Sequence, residues 1–287
     1  MISLHSGRND LPRLLLRAAD GAEAEIYLHG AHVTAWRPAG SGDALFLSEA
    51  SSFEAGEPIR GGVPVVFPQF SGNGPLPKHG FARTESWEWV NREDADSAES
   101  AVLRLADNPA TRDLWPHAFL LQLTVTPRGD SLTLDLSVEN RGEAELDFSA
   151  AFHTYLRISD ITRTTVLGLE GTRYRSNPEG LRGVADPAAI LTIGGEIDRV
   201  YGNAPRELTV NDQAGGRTFQ IGTEGFQDVV VWNPGPELAA SIPDLGAEEY
   251  RTMLCVEAAQ VEAPVRLAPG ATWRGAQRLR SVSAQTR

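Results

Sequence analysis

Strict alternation of apolar and polar residues constrains this chain more than any other feature. Leu132 to Val138 reads LTLDLSV, with Leu132, Leu134, Leu136 and Val138 on one face. Phe119, Leu121, Leu123 and Val125 alternate with Leu120, Gln122, Thr124 and Thr126. A period of two belongs to strands that bury one face. Pro127-Arg128-Gly129-Asp130 between these runs are turn formers, so the pair reads as a hairpin. Further strands are expected at Glu25–Trp36, Trp87–Asn91, Ala101–Leu105, Leu146–Ile158, Thr164–Leu169, Glu207–Val210, Thr218–Ile221, Asp228–Trp232, Thr252–Ala259 and Thr272–Ser281. Helical periodicity is scarce, with short turns expected around Ala50–Phe53, Asn108–Leu114 and Ala247–Tyr250. The acidic stretch Arg92–Ser100 reads as a solvated hairpin tip, and Ala284–Arg287 as a frayed end. No repeat or linker divides the chain, so one all-β antiparallel domain over residues 1–287 is expected.

Composition narrows the function classes. A net charge of −12 lacks the basic footprint that nucleic acid requires. No run of apolar residues is long enough to span a membrane. The segment MISLHSGRNDLPRLLLR has neither the basic region nor the long apolar stretch of a signal peptide, so a cytoplasmic location is expected. Cys255 is the only cysteine, which rules out an intrachain disulfide and a cysteine-rich metal site.

Within this acidic chain, Pro58–Thr84 (PIRGGVPVVFPQFSGNGPLPKHGFART) contains no Asp or Glu. It carries Arg60, Lys78, His79 and Arg83, with five glycines and five prolines. Lys78 is the only lysine among 26 Lys and Arg residues. Glycine lets backbone amides approach a ligand, and proline sets a loop's shape in advance. Two readings stand: an anion site with Arg60 and Arg83 as forked donors, or a rigid crossover between sheets. No Walker or GxGxxG pattern is present, so a nucleotide loop is excluded.

Two further positions can carry proton chemistry. His153 falls on the polar face of Glu145–Ile158, with Glu145, Asp147, Ser149, Ala151, Tyr155 and Arg157. An exposed histidine there, with an ordinary pKa of about 6.5, would exchange protons near neutrality; the alternative is a packing role. Glu257 lies in TMLCVEAA, apolar on both faces, and so is a carboxylate in a desolvated strand. Such placement raises its pKa and makes a usable base, unless an arginine pairs with it. His29 and His32, in HGAH, resemble half of a metal site, but no third His or Cys ligand follows at a sensible spacing. Phe67, Phe70, Phe81 and Trp232 are candidates to floor a sugar ring or to fill the core. Asp198 and Asp228 sit beside strands, where each can bind hydroxyls or end a turn.

Taken together, IRGGVPVVFPQF (59–70), GPLPKHGFAR (74–83), FHTYLRI (152–158), IDRVY (197–201), DVVVWNP (228–234) and MLCVEAA (253–259) resemble the aldose 1-epimerase (mutarotase) superfamily, specifically its hexose-6-phosphate branch. The resemblance runs in the family's order over most of the chain. It implies a large antiparallel β-supersandwich with a cleft on one concave face. It further implies His153 as general acid to the ring oxygen and Glu257 as general base to the C1 hydroxyl. His79 would contact the sugar near its ring oxygen, Gln69 and Asp198 would hold hydroxyls, and Arg60 and Arg83 would grip the 6-phosphate. Asp228 is kept with the substrate-binding candidates. Ring opening needs one proton removed and one added, so no metal or redox cofactor is implied. The expected activity is anomer exchange on an aldohexose 6-phosphate by a monomer with a small-molecule sugar phosphate as partner. The alternatives are a mutarotase of unphosphorylated aldoses and a non-catalytic sugar-phosphate binder. Two departures stand out: Gly235 follows WNP where an aromatic is common, and Lys78 replaces a common glutamine.

Overall fold

The alternation builds three antiparallel sheets in the computed structural model, which describes residues 1–90 and 100–283. The expected hairpin tip at Arg92–Ser100 (up to residue 99), Asn91 and the end Ala284–Arg287 lie outside the described residues. Nine strands form one sheet, in the order Ile190–Thr192, Thr164–Leu167, Glu207–Asp212, Arg217–Glu224, Thr272–Ser283, Ser131–Asn140, Phe119–Arg128, Ala101–Ala106 and Glu88–Trp89. The predicted hairpin is at its heart: Arg128 pairs with Ser131 across Gly129, whose φ of 56° is easy only for glycine.

An eight-stranded sheet packs against it. Its order is Leu181–Ala185, Arg173–Ser176, Ile197–Tyr201, Asp228–Asn233, Met253–Leu267, Leu146–Phe152 and Val65–Val66, with Tyr155–Arg157 also paired to Met253–Leu267. Ile2–Ser6, Pro12–Arg17, Glu23–Tyr27 and His32–Arg37 make the third sheet. Phe148, Phe152, Val229, Val231, Leu254 and Val256 of the eight-stranded sheet join Leu121, Leu134, Phe219 and Leu279 of the nine-stranded sheet in one core. This is the expected sandwich.

Because side chains alternate, the residues between those core positions point to the other face. That face carries Ala151, Val200, Val230 and Ala259, and with them His153, Asp198, Trp232 and Glu257. Residues 58–84 cross it. Phe67 anchors this crossover in the core, with ring centroids 5.3 to 6.1 Å from Phe148, Trp115, Phe119 and Phe81.

Several local expectations change. Glu25–Trp36 is two strands, because Gly30 (φ 70°) and Ala31 (φ 46°) turn the chain and the Gly30 amide bonds to the Glu85 carbonyl. The strand expected through Glu145–Ile158 breaks at His153–Thr154, where the His153 amide bonds to the Pro64 carbonyl and the Thr154 hydroxyl to Gln277. Pro109–Leu114 is helical under an Asn108–Thr111 capping box, and Glu249–Thr252 is a 3-10 turn. Ala50–Phe53 forms no helix, whereas Gly235–Ala239 does. Gly235 has φ 62°, and a Cβ there would lie 2.6 Å from the Glu196 amide, so the aromatic common after WNP does not fit this backbone.

Phe67→Ala is expected to cost about 3–5 kcal/mol, the usual range for removing a buried aromatic. Urea unfolding measures it, and a loss under about 1 kcal/mol would show that the crossover is held elsewhere.

Candidate active site

Loop and sheet enclose a cleft of about 250 Å³, lined by Arg60, Lys78, His79 and Arg83 from the crossover and by His153, Asp198, Trp232 and Glu257 from the sheet. Glu257 pairs with Val230 in the register of two inner strands, so no edge gives it access to water. It is 1% exposed, and His153 8%. His153 Nδ1 stands 3.3 Å from Glu257 Oε1. The approach misses hydrogen-bond alignment, and His153 Nδ1 and Glu257 Oε2 are buried without a hydrogen-bond partner in the protein. Burial pushes the Glu257 carboxyl well above the usual range, and nearby Asp198 adds to the shift. Burial likewise holds His153 well below its ordinary value, helped by His79, Arg60 and Arg83. The exposed histidine of the sequence reading is thus corrected: its face is polar, but the crossover covers it. Glu257 is the desolvated carboxylate expected, and no arginine pairs with it among the described residues.

His79 occupies a left-handed backbone position (φ 67°) and is buried. The Ser71 amide donates to its Nδ1 at 3.3 Å. Its pKa is pulled down to about 2 by burial and by Arg83, Lys78 and Arg60. The ring is therefore neutral, and with Nδ1 accepting, its proton sits on Nε2. His79 and His153 have centroids 5.4 Å apart.

Arg60 is the most constrained cation. Its Nε and Nη2 donate to Asp244 Oδ1 at 3.2 and 3.0 Å, and its Nη1 donates to the Tyr155 hydroxyl at 3.0 Å. Tyr155 and Asp244 hold its pKa above the ordinary value against the effect of burial. Three of the five N–H donors of a guanidinium are thereby engaged, leaving two for a ligand. Arg83 donates from Nη2 to the Lys78 carbonyl at 2.7 Å, while its buried Nε has no partner. Lys78 also lines the cleft, although the resemblance gave it no role.

Tyr155 was not singled out from the sequence, although it lies two residues after His153 on the same face. Its ring stacks on His153 at 4.8 Å and 10°, and Trp232 sets its edge against both, at 5.9 and 6.0 Å. Tyr155 therefore joins Arg60 to His153. Asp244 was also missed, and no local signal marks a partner 184 residues away. Arg175, Asn177 and Glu196 complete the polar rim, with Asn177 Nδ2 donating to Asp198 Oδ2 at 3.0 Å.

Two expected hydroxyl-binding residues do not line the cleft. Gln69 Oε1 accepts from the Leu76 amide, and its Nε2 donates to the Leu76 and Ser71 carbonyls, so both ends staple the crossover. Asp228 accepts the Val261 and Glu262 amides at 2.8 Å each and the Asn203 amide at 3.3 Å, which spends its carboxylate on backbone. Of the four aromatics, Phe70 and Trp232 line the cleft, while Phe67 and Phe81 fill the core. His29 and His32 bond through Nε2 to the Glu57 and Gly61 carbonyls, which assigns them to the support of the crossover.

A buried carboxyl beside a buried imidazole, with cations lining the same cleft, defines a site for acid–base chemistry on an anionic ligand. The family model for aldose 1-epimerase matches residues 12–280, and the chain belongs to that family of enzymes. It is 38% identical over 280 residues to "Putative glucose-6-phosphate 1-epimerase" of Cenchrus ciliaris, covering 95% of this chain and 85% of that one. It is 37% identical to the Escherichia coli K12 protein of the same name, over 83% of this chain and 79% of the other. The crystal structure of "a putative mutarotase (YeaD)" from Salmonella typhimurium superposes with a TM-score of 0.87 at 30% identity, covering 98% of this chain and 94% of that one. Among the described residues no helix is long and apolar enough to cross a membrane.

The Glu257 shift has a consequence for stability. A raised folded pKa means that the folded state keeps a proton the unfolded state loses, so stability from this group falls as pH rises above about 4.5. Glu257→Gln removes that dependence. Its melting temperature is expected to exceed that of the native protein at pH 8, with the gap closing towards pH 4.5; a gap that widens on acidification would contradict the burial argument.

Proposed function

We propose that this protein interconverts the α and β anomers of an aldohexose 6-phosphate, with glucose 6-phosphate as substrate. The observation that carries the reading is that one cleft holds both the His153–Glu257 pair and the cations Arg60, Lys78 and Arg83. A binding protein has no need of a buried acid–base pair, and a site for a neutral sugar has no need of three cations. The names of the relatives from Cenchrus ciliaris and Escherichia coli agree with it.

Glu257, as carboxylate, takes the proton of the C1 hydroxyl. The C1–ring-oxygen bond breaks as C1=O forms, and protonated His153 gives its proton to the ring oxygen. Rotation about C1–C2 presents the other face of the aldehyde. The reverse transfers close the ring: the hydroxyl returns its proton to His153, and Glu257 reprotonates O1. His153 meets the sugar through Nε2, since Nδ1 faces Glu257. His79 donates from Nε2 near the ring oxygen, Asp198 holds hydroxyls, and Arg60 and Arg83 hold the phosphate. The reading takes the chain as one catalytic unit, a cytoplasmic monomer; a core that draws on residues from Leu14 to Leu279 supports its unity.

Anomer-exchange NMR on glucose 6-phosphate tests the roles. His153→Asn and Glu257→Gln are each expected to lower the rate by about 10²–10⁴-fold with the fold retained. A near-native rate in either removes that residue from the mechanism. Arg60→Ala is expected to weaken glucose 6-phosphate by about 1.5–3 kcal/mol, the worth of a charge-assisted hydrogen bond, and to affect free glucose far less. Equal losses on the two sugars would remove the phosphate assignment.

A further inference from the structure

Two cations of the cleft, Arg60 and Arg83, do more than face a ligand; they also oppose a charge on His153. Arg83 and Lys78 make no ion pair among the described residues, and Arg83 Nε is buried without a partner. Arg60 has one acid, Asp244, and reaches His153 through the Tyr155 ring stacked on it. On the opposite side stand Glu257 and Asp198, with Glu196 on the rim, and Arg175 is already paired with Glu262. Cys255, on the same strand as Glu257, packs against Tyr155 and brings no cation.

The effect is unequal on the two members of the pair. Tyr155, stacked on His153, takes a hydrogen bond from Arg60. Burial, His79, Arg60 and Arg83 all oppose a charge on His153, whereas burial and Asp198 raise Glu257. Both shifts favour the proton on Glu257 and a neutral His153. Ring opening starts from the opposite arrangement, carboxylate and imidazolium. A negative charge seated on Arg60 and Arg83 would remove their share of the opposition to it.

We propose that the phosphoryl dianion is a working part of the proton-transfer apparatus: seated on Arg60, Lys78 and Arg83, it lets the shared proton move from Glu257 to His153, so that a separate oxyanion in its place switches on anomer exchange of an unphosphorylated aldose. The proposal rests on the epimerase reading above. It extends the general rule that contacts remote from the reacting bond are used to raise turnover as well as affinity. Atoms balance without a co-reactant, because one proton passes from the Glu257 carboxyl to the His153 ring.

The test uses the native protein, free glucose and inorganic phosphite as the separate dianion. Exchange NMR follows the anomers as phosphite is titrated, with the phosphite-catalysed rate measured without protein subtracted. The protein-dependent rate is expected to rise saturably by about tenfold or more, the change in protonation ratio that follows one recovered pKa unit. The ratio of rates with and without phosphite is expected to fall towards one in Arg83→Ala. Independently of activity, the ring ¹⁵N shifts of His153 should move towards imidazolium as phosphite is added. Active exchange on glucose 6-phosphate with no saturable phosphite effect, or with unmoved His153 shifts, overturns this inference and leaves the epimerase reading standing. No exchange on glucose 6-phosphate removes both.

Discussion

Burial of Glu257 beside His153, with no hydrogen bond to Glu257 Oε2 or His153 Nδ1 among the described residues, sets the terms for the rest of the site. Two ionisable groups 3.3 Å apart in a desolvated cleft settle into the least charged distribution of their one proton, a neutral acid and a neutral imidazole. In the mechanism proposed above, that distribution is also the one left by ring opening, when the carboxyl has taken the C1 proton and the histidine has given its own away. On that proposal the site is built closer to the open-chain aldehyde than to the closed sugar. Complementarity of this kind lowers the barrier between anomers.

Such a pair survives only on a scaffold that does not relax around it. Glu257 is fixed by ladders on both sides, from Asp228–Asn233 and from Leu146–Phe152 and Tyr155–Arg157. The cover is fixed just as firmly. Gly62 has φ 58°, and a Cβ there would lie 2.2 Å from the Val33 carbonyl oxygen, so the crossover is pressed onto the third sheet. His32, Gln69 and Phe67 pin its start, middle and core side. The two histidines that looked like half a metal site and the glutamine that looked like a hydroxyl ligand thus serve the same end. They keep Arg60, His79 and Arg83 in place before any ligand arrives, which lowers the ordering cost of binding.

What could be read from the sequence follows the range of the interactions involved. The Phe119–Val138 hairpin was legible because alternation and turn residues are local. Glu257 was legible because a strand apolar on both faces announces its own burial. His153 was placed on the correct face but with the wrong solvation, since its cover comes from residues 58–84. Asp244 left no trace, because its meaning lies wholly in Arg60. The resemblance supplied Gln69 as a ligand and a place beside a strand suggested Asp228, yet each carboxamide or carboxylate oxygen already answers a backbone amide that would otherwise be buried unpaired. Sequence position carried these two residues; the accounting of donors and acceptors reassigned them.

The absence of acids from residues 58–84 now has a physical reason. Across about 8 Å of physiological salt most of the repulsion between a net charge of −12 and a sugar phosphate is screened away. What the ligand meets in the cleft is set by charges within contact range, where screening is weak. An Asp or Glu in the crossover would neutralise Arg83 or Lys78 permanently and hold the His153–Glu257 proton wherever that fixed charge placed it. Leaving the loop without acids keeps the cationic field uncancelled until a dianion supplies the missing charge. The acid that pairs with Arg60, Asp244, comes from another part of the chain and bonds it through a single oxygen, which aligns the guanidinium and still leaves it two donors.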